Sequence, residues 1–87
     1  KADNQIRMMG GADRIREEIT ASLADGRYQW AAELCDILLN SDSRCPDVKK
    51  MKAEALVGLG RMQTSANGRH YYLVCAKELK KEAEEEK

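Results

Sequence analysis

The sequence predicts an all-α fold, a four- to five-helix antiparallel bundle of helical hairpins, and three observations carry that prediction. Phe is absent and a single Pro occurs in 87 residues, so little favours strands and little interrupts a helix. Long stretches are built from Ala, Leu, Glu, Lys, Arg and Met, all strong helix formers. Apolar residues recur at spacings of three and four, the pattern of a helix with one buried face.

The first well-marked helix is predicted from about Ala12 to Ala24. Ile15, Ile19 and Leu23 repeat every fourth residue, and Asp13 and Glu17 place acid toward its positive end. Gly10 and Gly11 separate it from a helix-like stretch before it, and Asp25-Gly26 stops it. Tyr28 leads into a second helix on which Trp30, Ala31, Leu34, Leu38 and Leu39 form a broad apolar face, so the pair makes a hairpin. Asn40 to Arg44 is a polar turn, and Pro46 suits the opening turn of a third helix, where its missing N–H costs nothing. Val48, Met51, Ala55 and Leu59 line that helix, and Gly60 is expected to end it.

Gly26-Arg27-Tyr28 and Gly60-Arg61-Met62 lie 34 residues apart, with Ala21 matched by Ala55 in the helix before each turn. This is the period of the tetratricopeptide helix-turn-helix repeat, so the bundle is expected to be tetratricopeptide-like. Gly26, Tyr28, Trp30 and Gly60 are then its turn and core positions, and Trp30 is expected to brace two helices from within the core. The second copy decays after its turn, where Thr64 to Gly68 is small and polar, which predicts a longer connection and a fourth helix starting near Arg69. Lys80 to Lys87, rich in Lys and Glu, can sustain that helix in solvent or fray, and residues 82–87 are taken as a charged tail.

Fifteen Lys and Arg balance fifteen Asp and Glu, so the basic footprint of a nucleic-acid binder is missing. The longest apolar run, Tyr71 to Ala76, falls far short of the roughly 18 residues of a membrane span. No charged-then-apolar signal segment opens the chain, which starts at Lys1 and reads as a fragment of a larger protein, one helical domain over residues 1–87. Compartment therefore stays open. Cys35, Cys45 and Cys75 are odd in number, widely spaced and without a CxxC pair, which predicts free thiols and no metal or cofactor site in this chain. A Cys35–Cys45 bridge across the intervening turn is the conceivable alternative.

Tyr71-Tyr72-Leu73-Val74-Cys75-Ala76 places bulky or apolar residues on every side of a helix, so that helix needs cover from two directions. Either it threads the centre of its own bundle, or a partner chain buries one of its faces. On the second reading Tyr71, Tyr72, Leu73, Val74 and Cys75 are the contacts of a homodimer. Catalysis finds no support. His70 and Cys75 are five residues apart, which on a helix is about 500° of rotation and leaves them pointing about 140° apart, too divergent for a nucleophile and its base. Arg27, Arg61 and Arg69 could instead clamp an anionic chain end, as in a tetratricopeptide-like peptide-binding adaptor. That alternative needs about three stacked repeats, and the sequence has one clear copy and one decayed one.

Three blocks carry a family resemblance over most of the chain: Met9-Gly10-Gly11-Ala12-Asp13, then Gly26-Arg27-Tyr28-Gln29-Trp30-Ala31-Ala32-Glu33-Leu34, then Arg69-His70-Tyr71-Tyr72-Leu73 with Ala76, Glu78 and Leu79. In these the chain resembles the helical dimerisation domain of the alkyl sulfatases, zinc-dependent hydrolases with a metallo-β-lactamase fold. It departs from that pattern at Cys75, where Gly is usual, and at His70, where Asn is common. The resemblance implies a helical module that pairs with its twin and contacts the catalytic and C-terminal domains of its parent, an enzyme hydrolysing sulfate esters of long-chain alcohols. It also implies that the two zinc ions belong to the parent's catalytic domain, on a histidine-rich motif absent here.

Overall fold

A computed structural model describes residues 2–86 as five helices packed into an antiparallel bundle. They are α1 (Ala2–Met8), α2 (Ala12–Ala24), α3 (Tyr28–Ser41), α4 (Pro46–Arg61) and α5 (Ala66–Glu85). The break between α1 and α2 falls at Gly10 and Gly11, both at φ 97, a left-handed region that side chains with a Cβ avoid. α2 ends where expected. Gly26 takes φ 78, the Arg27 N–H donates to the Ser22 carbonyl at 2.9 Å and the Gly26 N–H to that of Leu23 at 3.3 Å, which satisfies carbonyls the helix end leaves free.

Ile15 and Ile19 of α2, Ala31, Leu34, Cys35 and Leu38 of α3, and Val48 and Ala55 of α4 are buried together as the core. Ile6 and Met9 close it from the α1 side. α3 is the central helix of this half, touching α1, α2 and α4, while α5 packs along α4. Small residues set that last approach: Ala76 and Ala83 of α5 are buried, and Gly60 lies under Tyr72, where an added Cβ would come within 3.2 Å of the tyrosine Cβ.

Three expectations are corrected here. Gly60 does not end α4, which continues to Arg61 with helical backbone; its missing side chain serves the packing of α5 rather than a left-handed cap. α5 begins at Ala66 rather than Arg69, because the Ser65 hydroxyl accepts the Gly68 N–H at 3.0 Å and caps the first turn. The expected tail from residue 82 is helical through Glu85, with Ala83 fully buried. Lys87 lies outside the described residues.

What holds the end of α5 is a buried lysine. Lys49 is buried on α4, and its Nζ donates to a Glu82 carboxylate oxygen at 3.2 Å and to Glu86. The hydrogen bond to Glu86, and then that to Glu82, holds the ammonium pKa above the usual 10.5. A cationic group whose pKa is raised by folding stabilises fully below its unfolded value, and that contribution fades as pH rises through the folded value. Alkaline destabilisation above 10.5 is therefore expected to include a share from Lys49. Urea unfolding at about pH 9 and about pH 11.5 checks this: Lys49→Met is expected to lose less stability between the two than the parent does, and an equal loss rules the contact out.

Candidate functional site

The first turns of α5 leave three large apolar side chains open to solvent, set among charged and polar neighbours such as His70 and Lys77. Tyr71 is 65% exposed, Leu73 42% and Val74 39%. Tyr72 and Cys75 are half-buried, and Ala76 at the centre of the contact with α4 is buried. The six residues thus divide as helical geometry demands, one edge covered by α4 and the rest left open. Tyr71 and Tyr72 brace one another edge to face, ring centroids 5.6 Å apart, so the exposed tyrosine is held by its neighbour.

Beside these residues lies a groove of about 440 Å³, floored by α4 and walled by α3 and α5. Its two ends differ. At one, Gln29 and Ala32 face Leu59, Tyr71 and Tyr72; at the other, Asp36, Lys52, Glu78 and Glu82 converge, with Lys52 and Asp36 paired at 2.6 Å. The apolar end therefore coincides with the exposed tyrosine.

Tyr28 is half-buried and its ring lies against Gly58 of α4, as a turn-bracing aromatic should. Trp30 behaves otherwise: expected in the core, it is 40% exposed, because the α3 positions that meet α2 and α4 are taken by Ala31, Leu34, Cys35 and Leu38. The Trp30→Ala cost of about 3–5 kcal/mol that full burial implies no longer applies to the single chain. Nothing in the order of apolar residues distinguishes Trp30 from its buried neighbours, so the sequence held no signal for this.

The three arginines do not form a clamp. Arg27 pairs with Asp25 at 3.3 Å and Glu18 at 3.6 Å, Arg69 donates to the Gln63 carbonyl at 3.3 Å, and Arg61 lies apart in a hollow with Glu54 and Lys80. His70 is exposed on α5. The three cysteines are unbridged thiols. Burial pushes the Cys35 thiol up to about 12, which keeps it protonated as a core group. Burial also raises that of Cys45, helped by its hydrogen bond to Asp47. Among the described residues no three His, Cys, Asp or Glu side chains are grouped to hold a metal ion, and no helix is long and apolar enough to cross a membrane.

Comparisons with known proteins bear on the fold and the family. Residues 1–82 match the family described as alkyl sulfatase dimerisation. An (R)-specific secondary-alkylsulfatase of a Pseudomonas species is 32% identical over 75 residues, 86% of this chain and 11% of that protein. A linear primary-alkylsulfatase, also from Pseudomonas, is 32% identical over 80 residues, 92% of this chain and 12% of that protein. Among solved structures, a double mutant of the sec-alkyl sulfatase PisA1 superposes with a TM-score of 0.81 at 30% identity, over 91% of this chain and 12% of that one. The chain thus spans about an eighth of the length of the relatives it matches.

Proposed function

The chain belongs to the alkyl sulfatase dimerisation family, and on that premise we propose that it is the non-catalytic module through which two copies of a longer alkylsulfatase-type hydrolase pair. The observation that carries the reading is the exposure of three large apolar side chains at the start of α5, Tyr71, Leu73 and Val74. Contiguous exposed apolar surface is rare on chains that stay monomeric and is the usual mark of an association surface. Pairing is driven by removing these side chains from water, with Tyr71, Tyr72, Leu73, Val74 and Cys75 as contacts. The hydrolytic chemistry, and any zinc it uses, belongs to the parent's other domains, which are this module's further neighbours.

The peptide-adaptor alternative is disfavoured by the arginines, which are dispersed, two of them engaged with groups of their own bundle. Sedimentation of the chain over a concentration series tests the dimer reading, with Leu73→Asp as the disrupting variant. Leu73 is exposed at its helix edge, so the variant is expected to keep its helix content while dimerisation weakens about a hundredfold, the effect of a desolvated charge at an apolar contact. A Leu73→Asp chain that is folded and still dimerises like the parent would remove α5 from the interface.

A further inference from the structure

We propose that Trp30 is an anchor of the self-association surface, its indole packing against the second copy of the chain. This rests on the α5 reading and extends it across the groove to α3. Trp30 stands between two shallow hollows, one lined by Met9, Ile15 and Leu34 and the other by Gly26, Leu59 and Met62. The second hollow shares Gln29 and Leu59 with the groove beside α5, so Trp30, exposed Met62, Leu59 and Tyr71 belong to one continuous apolar surface.

Three arguments commit this surface to a twin. The first is area: a stable dimer buries about 800 Å² per partner, contributed by about 20–30 residues. α5 has 20 residues and gives one side of itself to α4, so it cannot supply that number alone. The second is direction. The groove is charged at the Glu82 end and apolar at the Tyr71 end, and the apolar end is the one that leads to Trp30. The third is residue type, because Trp and Tyr dominate the energetics of such surfaces and an indole left partly in water is the most rewarding group to cover. A second copy brings the same aromatic pair, so a two-fold contact can set Trp30 of each chain against the partner's surface.

Trp30 is the only tryptophan of the chain, so its fluorescence reports on this position alone. Emission and sedimentation mass are to be measured over one concentration series. The expected result is a shift of emission to shorter wavelength with the same midpoint as the rise from monomer to dimer mass. Trp30→Ala and Met62→Asp, both at exposed positions, are expected to weaken dimerisation about tenfold or more with helix content unchanged. A dimer that forms with unshifted emission and tolerates both substitutions overturns the role of Trp30 and leaves the α5 contact standing. A chain that stays monomeric and folded at every concentration overturns both.

Discussion

Ile19→Ala is expected to lower the stability of the chain by about 2–5 kcal/mol, the cost of deleting three buried carbon atoms together with the cavity they leave. Ile19 is completely buried on α2, in the cluster that joins α2 to α3 and α4. Its neighbours cannot easily collapse into the gap, since they are short or already committed: Ala31 and Ala55 have no reach, and Ile15 and Leu34 are themselves fully buried. A domain of this length has a total stability of only about 4–13 kcal/mol. Each kcal/mol lost moves the thermal midpoint by about 4–8 °C. Urea denaturation of the two chains under matched concentration checks the value, because dimerisation adds stability that varies with concentration. A loss below about 1 kcal/mol would mean that α2 is not docked as described.

The second large effect is expected at Gly58, and there the sign is the test. Gly58 lies inside α4, where Gly→Ala ordinarily stabilises a helix by about 1 kcal/mol. Here a Cβ would come within 2.5 Å of ring carbons of Tyr28, closer than real Cβ contacts come, and the ring is packed against the core. Gly58→Ala is therefore expected to destabilise by about 1–3 kcal/mol through overpacking. In a Tyr28→Ala background the same substitution is expected to become neutral or stabilising, and the difference between the two backgrounds measures the contact directly. Equal effects in both would show that the Tyr28 ring does not rest on α4.

These two sites differ in how visible they are before the structure is known. Ile15 and Ile19 stand four residues apart with Leu23 a further turn on, and that period by itself marks α2 and its buried face. The same holds for α3 and for the opening of α4 at Pro46, where local chemistry and pattern agree. Gly58 carries no such mark. Its importance comes from a ring thirty residues away, and only the crossing of α3 over α4 brings the two together.

Gly60 shows the converse error. Set beside Gly26 in an apparent repeat it reads as a helix stop, and Gly26 is one, with φ 78 and the carbonyl-capping bonds of a left-handed terminus. Gly60 keeps helical backbone because α5 needs to pass close by, and packing then outweighs the local preference of glycine for a terminus. The end of α5 was hidden for a related reason. A run of Lys and Glu reads as a solvated tail, but Ala83 and Glu86 face Lys49 and α4, and those partners lie more than thirty residues back in the chain.

The sequence by itself determined the fold class, the α2 and α3 helices with the turn between them, the start of α4, and the family, because each depends on residues close together in the chain or on motifs with fixed spacing. It also marked Tyr71 to Ala76 as a segment too apolar for one-sided burial. Only the tertiary structure decided which residues of that segment are left open, that Trp30 is partly exposed rather than enclosed in the core, and that the charged C-terminal turns are held by a buried lysine. Burial is a property of what packs against a residue, and five helices this short leave the choice of inward faces to how closely Ala and Gly let their neighbours approach.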